Sequence, residues 1–282
     1  MKIGVSAFAW YGKLDSRSLD ILPTVKALGV DVFEIPMFSP ADLEVPAIRS
    51  AFKQNGLECT VCAILPSGIN PISADPVVRK NSLHHLKLCV ETTAELGANL
   101  LGGPLFAPIG YLPDHRPTRD EWQWAVEAFQ ALGDTLHNAN VTLSLEPVNR
   151  SETFFLRTAK EARALCEAIG DPRIGVTIDT FHANIEEKRI PEAIQSLGSH
   201  LRHMHMSESD RGILGQGHVD FPNIIRVLRA MNYQGVLMIE GFGYSAEVLD
   251  APGTLWAELD VSPLEIAGSG VEYLRTLLRE AE

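Results

Sequence analysis

The chain has 282 residues, 45% of them hydrophobic and 21% charged, and a formal net charge of −12. That length suits one α/β barrel of roughly 250 residues, and scattered Lys and Arg in so acidic a chain exclude the counterion-releasing basic face that a nucleic-acid partner needs. No apolar run approaches the roughly 20 residues of a membrane span. The opening MKIGVSAFAW is interrupted by Gly4 and Ser6, so it reads as a first strand rather than a signal peptide, and the expected location is the cytoplasm.

From there a pattern repeats: a helical stretch, a Gly or Asn stop, then a short apolar strand. It recurs in KALGVDVFEI, AELGANLLGG, HNANVTLSLE, EAIGDPRIGVTID and MNYQGVLMIE, as left-handed C-caps predict. Strands are expected at residues 2–9, 31–35, 58–64, 99–103, 141–146, 174–179, 201–206 and 235–240. Helices are expected near 16–28, 41–55, 75–96, 118–139, 158–169, 189–197, 221–231 and 263–280. Eight such units predict an α/β chain with one closed parallel sheet, a single (β/α)8 TIM barrel occupying residues 1–282 as one domain. An open doubly wound sheet lacks support, because no G-x-G-x-x-G follows the first strand. Gly102-Gly103-Pro104 reads as a tight turn after the fourth strand.

The four cysteines do not form a disulfide framework. Cys59 and Cys62 have C-x-x-C spacing, but an odd separation on one strand sends them to opposite faces. No second pair of cysteines completes a zinc site.

Chemistry collects where four consecutive apolar strands end: Glu146 in VTLSLE, Asp179 in GVTID, His205 in LRHMH and Glu240 in GVLMIE. Side-chain alternation puts Thr142, Ser144 and Glu146 on one face, Thr177 with Asp179, His203 with His205 and Ser207, and Met238 with Glu240. These faces would line the barrel, with the four end residues at the carboxyl mouth where barrel active sites lie. Uncompensated buried carboxylates are costly, and three carboxylates with one imidazole form a ligand set for Mn²⁺, Co²⁺ or Mg²⁺. The expectation is a metalloenzyme. Glu152, His182 and Arg211 follow the ligands within one loop each and form a second layer able to grip sugar hydroxyls and polarise a carbonyl. His203 belongs to the core or that second layer. Phe8, Trp10 and Phe38 fit either the pocket wall or ordinary core packing.

The stretches LEPVNRSE, TIDTFHANIEE, HMHMSESDRGILGQGHVDF and IEGF resemble the xylose isomerase-like TIM barrel superfamily, and within it the ketose 3-epimerases. The resemblance implies that Glu146, Asp179, His205 and Glu240 hold one divalent ion, with Glu146 and Glu240 also the acid/base pair at C3 of a ketose. It implies that Glu152, His182 and Arg211 fix the substrate oxygens, and that Glu34 and Cys62 lie close to the sugar pocket. It further implies a homodimer or homotetramer acting on a small sugar. The loop SDRGILGQG, the absence of a proline after Glu240, and the sequence that follows Trp256 in the tail GTLWAELDVSPLEIAGSG depart from the family pattern, so the substrate stays open. An aldose–ketose or hydroxypyruvate-type isomerase and an inosose-type dehydratase share this site. A nuclease-like barrel would need more histidines and a basic face. A non-catalytic sugar binder would not need two glutamates on one ion.

Overall fold

The computed structural model describes residues 1–242 and 261–280; Trp256 and the tail up to residue 260 lie outside the described residues. Eight strands, β1 (Lys2–Ser6), β2 (Val32–Met37), β3 (Glu58–Ala63), β4 (Leu100–Gly103), β5 (Thr142–Leu145), β6 (Ile174–Asp179), β7 (Leu201–Met206) and β8 (Val236–Ile239), pair in sequence order. All pairs are parallel, and β8 returns to β1 to close the barrel. Around it run α1 (Leu22–Ala27), α2 (Val45–Asn55), α3 (Pro76–Leu96), α4 (Arg119–Gln130), α5 (Gly133–Ala139), α6 (Ala159–Ile169), α7 (Thr180–Glu186), α8 (Ile190–Leu197), α9 (Phe221–Ala230) and α10 (Pro263–Glu280). This is the expected (β/α)8 barrel. Among the described residues no helix is long and apolar enough to cross a membrane.

The helix ends follow the stop signals. Gly56, Gly97, Gly170 and Asn140 sit just past α2, α3, α6 and α5 with φ between 54° and 88°, where Gly and Asn meet the least Cβ penalty. Thr118 with Glu121, and Thr158 with Glu161, close reciprocal capping boxes at the starts of α4 and α6. Three helices, α1, α2 and α8, start later than expected, with Pro23, Pro46 and Pro191 in their first turns, where proline is tolerated but not further inside; Pro222 sits likewise in the first turn of α9, which starts where expected. The expected helix 118–139 is two, α4 and α5, with Gly133 at the break, where a helix interior would cost roughly 1 kcal/mol. The first strand stops at Ser6, whose hydroxyl caps a 3₁₀ turn over Ala7–Ala9.

Alternation decides what each strand shows. Val5, Phe33, Ile35, Val61, Leu143, Leu145, Ile178, Met204 and Leu237 are buried against the helices in one continuous apolar cluster. The other face is polar and closed on itself. Thr177 Oγ1 donates to Ser144 Oγ at 2.6 Å, and Thr60 Oγ1 donates to Glu34 Oε2 at 2.9 Å. Cys59 and Cys62 diverge as the odd spacing requires: Cys59 Sγ lies 3.7 Å from the Leu96 carbonyl at the end of α3, whereas Cys62 turns to the mouth of the barrel.

Two backbone details set the mouth. Gly103 has φ 123°, and a Cβ there would fall 2.1 Å from the Ala63 carbonyl oxygen, so the ends of β3 and β4 approach at a point only glycine can occupy. Between β6 and β7 the register slips after Val176, which pairs with Leu201, so that Thr177 pairs with His203 and Asp179 with His205. An unslipped ladder would place Arg202 and Met204 opposite them.

Candidate metal centre and active site

The four strand-end side chains converge. Glu146, Asp179, His205 and Glu240 each offer one ligand atom, all within 4.8 Å of one another, and all four residues are buried. His205 Nδ1 lies 3.0 Å from Glu146 Oε1 and 3.5 Å from Glu240 Oε2, so carboxylates following β5 and β8 reach the same ring nitrogen. Asp179 does two jobs. Its Oδ1 accepts the Phe181 amide at 2.8 Å and so starts α7, a short helix beyond the eight expected from sequence, while Oδ2 faces the centre.

The second layer assembles around Arg211. Its Nη1 lies 2.6 Å from Asp179 Oδ2, 2.8 Å from Glu240 Oε2 and 2.7 Å from Ser207 Oγ. The guanidinium is sandwiched by rings, 4.2 Å from the centre of Phe181 and 4.6 Å from that of Phe242. Arg211 itself has φ 63°, a backbone setting that non-glycine residues adopt at a cost and only when surroundings fix it. What fixes it is Glu208, fully buried, whose carboxylate accepts the amides of Ser209 (2.8 Å), Gly215 (3.0 Å) and Val219 (3.1 Å). Asn149 ties the remaining pair: Nδ2 donates to Glu152 Oε1 at 2.7 Å and lies 2.9 Å from His182 Nδ1. Neither Asn149 nor Glu208 was singled out from sequence, although both lie in quoted motifs.

Above these groups opens a cavity of about 290 Å³, at the small end of the roughly 300–1,000 Å³ of small-molecule sites. Glu146, Glu152, His182, Arg211 and Glu240 form its polar side. Phe8, Phe38, Cys62, Ile64 and Phe242 line the apolar side, with Phe8 packed on Phe38 at 6.3 Å and Phe242 at 5.4 Å between ring centres. Of the two places open to Trp10, wall or core, it takes the core, packing on Phe33 in the barrel-to-helix layer. Glu34, expected close to the sugar pocket, is fully buried within β2 and lies behind the cavity lining, within 4.8 Å of the lining residues Cys62 and Glu240; it bonds Thr60 and faces His203 and His205.

The electrostatics are those of a site short of positive charge. Burial opposes ionisation throughout, yet Arg211, then His182 and His205, hold the Asp179 carboxyl at about 2. At Glu240 burial outweighs His205 and Arg211 and pushes the carboxyl up to about 8. Burial likewise pushes Glu152 up to about 7 and His182 down to about 3, so His182 is a neutral imidazole. His205 moves the other way: despite burial, Glu240, Glu146 and Glu34 raise it well above its ordinary value. One guanidinium and one imidazole do not neutralise the five buried carboxylates Glu34, Glu146, Glu152, Asp179 and Glu240. A divalent cation among Glu146, Asp179, His205 and Glu240 fits this deficit, and three oxygens with one nitrogen suit Mn²⁺, Co²⁺ or Mg²⁺.

Comparison with known proteins agrees with the architecture. The model of the family described as xylose isomerase-like TIM barrel matches residues 22–277. The chain is 34% identical to the L-ribulose 3-epimerase of Mesorhizobium japonicum, over 100% of this chain and 97% of that one. Among solved structures, an L-ribulose 3-epimerase superposes with a TM-score of 0.93 at 30% identity, covering 99% of this chain and 95% of that chain. A D-allulose 3-epimerase from Methylomonas sp. in complex with D-allulose gives 0.92 at 25% identity, covering 98% and 96%. On the matched barrel and these full-length relatives, the chain belongs to the xylose isomerase-like TIM barrel family and is an enzyme allied to its ketose 3-epimerases.

Proposed function

We propose that this protein is a divalent-metal-dependent ketose 3-epimerase that inverts C3 of a free ketose. The observation that carries the reading is the placement of Glu146 and Glu240. Both line one cavity, both belong to one ligand group, and they approach it from the ends of different strands. Inversion needs a base on one face of a carbon and an acid on the other, and two such carboxylates meet that requirement without large motion.

Glu146, Asp179, His205 and Glu240 would hold Mn²⁺, or Co²⁺ or Mg²⁺ in its place. Such a cation would supply Lewis acidity at the ketose oxygens and make the C3 hydrogen more acidic. One of Glu146 and Glu240 takes that proton, leaving an enediolate, and the other returns one to the opposite face. Glu152 and neutral His182, aligned by Asn149, orient hydroxyls. Arg211, with donors beyond those bonded to Asp179 and Glu240, offsets charge gathering on oxygen. The aromatic wall of Phe8, Phe38 and Phe242, with Cys62 beside it, packs the carbon skeleton and excludes water. Residues 1–282 act as one domain in the cytoplasm, as a homodimer or homotetramer. Ribulose and allulose lead the substrate panel, because relatives act on ketoses of those names.

The test is incubation of chelator-stripped and Mn²⁺- or Co²⁺-restored protein with fructose, tagatose, ribulose, allulose and erythrulose in D₂O. Metal-dependent deuterium at C3 with the C3 epimer in the proton NMR spectrum is the expected result. Label at C1 with an aldose product would make the protein an isomerase, and no exchange on any ketose would turn the reading to cyclic polyols.

A further inference from the structure

One fully buried carboxylate lies beneath the cavity, outside the reaction described above. Glu34, central in β2, is 0% exposed, as are His203 and His205. Its oxygens divide the work. Oε2 accepts from Thr60 Oγ1 at 2.9 Å and lies 3.1 Å from His203 Nε2. Oε1 faces His205 Nε2 at 3.0 Å, off the line of a well-formed hydrogen bond, and neither atom has another hydrogen-bond partner. The other ring nitrogen of His205, Nδ1, is the one turned to Glu146 and Glu240.

An imidazole that gives the lone pair of Nδ1 to a cation must keep its proton on Nε2. A buried N–H needs an acceptor, and Glu34 Oε1 is within reach. We propose that Glu34 is the positioning residue of the metal centre: it holds the Nε2–H of His205, so that Nδ1 presents its lone pair toward Glu146, Asp179 and Glu240. Thr60 and His203 fasten the carboxylate from β3 and β7. Two unrelated strands thus hold Glu34 fixed, and the slipped register that sets His205 beside Asp179 also brings His203 level with Thr177. The inference rests on the reading of Glu146, Asp179, His205 and Glu240 as a divalent metal site. Its rival is a second nest, since Glu34, Cys62, His205 and Glu240 also lie within 4.8 Å of one another; an ion there would carry a sulfur ligand.

The probe is Co²⁺, titrated into chelator-stripped wild type, Glu34→Gln and Glu34→Ala, with folding followed by circular dichroism. Two quantities are read: Co²⁺ affinity by chelator competition, and the paramagnetically shifted exchangeable imidazole N–H in the proton spectrum. Wild type should bind Co²⁺ and show one such N–H that exchanges slowly with D₂O. Loss of outer carboxylates of this kind weakens metal binding roughly 10–100-fold, and that is the fall expected in Glu34→Ala, with a smaller one in Glu34→Gln, which keeps an acceptor oxygen. In both variants the N–H should broaden or exchange rapidly, which a loss of packing alone would not cause. Unchanged affinity and an unchanged N–H overturn the proposal. So does a sulfur-to-cobalt charge-transfer band in wild type that vanishes in Cys62→Ser, since the ion would then sit in the rival nest. If neither variant folds, the wild-type spectrum decides, because absence of a protected N–H refutes the role. Wild type that takes up no Co²⁺ overturns the metal-centre reading itself.

Discussion

Arg211 Nη1 lies 2.6 Å from Asp179 Oδ2, and both side chains are buried although 32 residues separate them. Removing one partner of a buried pair leaves an uncompensated charge and costs roughly 3–5 kcal/mol. Metal-stripped Arg211→Ala should therefore melt well below stripped wild type. A cation at the same carboxylates would restore the missing charge, so saturating Mn²⁺ should raise the melting temperature of Arg211→Ala by more than that of wild type. Equal shifts would mean that Arg211 and the ion do not share Asp179 and Glu240.

Glu146 and Glu240 should fail in complementary ways. Loss of a general acid or base costs roughly 10²–10⁴-fold in rate, so Glu146→Gln and Glu240→Gln should each lose epimerisation by that factor. Each variant keeps one base, and each should still exchange the C3 proton of one epimer with D₂O but not of the other. Bound metal measured in parallel separates lost acid/base chemistry from lost ligation. Exchange of both epimers in either variant would leave a single base doing both steps.

Glu152 gives a pH dependence with a definite sign. Burial pushes its carboxyl up from 4.5 to about 7, so the folded state binds the proton more tightly than the unfolded chain does. The stability this contributes is present at low pH and is lost as pH rises from about 4.5 to about 7. Thermal melts of metal-stripped protein across that interval should slope downward, and Glu152→Gln should flatten them. Two other groups share the window: Glu240, pushed up to about 8, slopes the same way, and His182, pushed down to about 3, slopes the opposite way below pH 6.5, so the diagnostic is the difference in slope between variant and wild type. An identical slope in the variant would dismiss Glu152 as the source.

Glu208 pins the loop that carries Arg211. Its carboxylate gathers amides from Ser209, Gly215 and Val219, and those bonds hold it below the usual carboxylate range against burial. Glu208→Gln has one acceptor oxygen in place of two. Hydrogen exchange at Gly215 and Val219 should accelerate, and KM should rise more than kcat falls, because the loop, not the reacting carbon, is what loosens. Unaltered amide protection would remove Glu208 from this role.

The polar strand ends were legible because alternation is a local property. Once VTLSLE, GVTID, LRHMH and GVLMIE are read as strands, parity alone puts Glu146, Asp179, His205 and Glu240 on the inward face. Helix stops at Gly56, Gly97, Asn140 and Gly170 were legible for the same reason, since a positive φ selects its residue without reference to the rest of the chain. The late starts of α1, α2 and α8 were missed although Pro23, Pro46 and Pro191 announce them. The break at Gly133 was missed because one glycine does not by itself end a helix.

What sequence alone determined is the barrel, its strand order and the residues facing its mouth, all fixed by short-range periodicity and by the need to bury one face of each strand. Tertiary structure decided the rest. The register slip after Val176 depends on how β7 lies against β6, and no pattern within either strand encodes it; it sets His205 rather than Met204 beside Asp179. The same holds for Glu34. Its charge and position in FEIP were visible, but only closure of the barrel, which brings β2 across from β7, sets it behind the cavity lining and under the ring of a histidine 171 residues later in the chain.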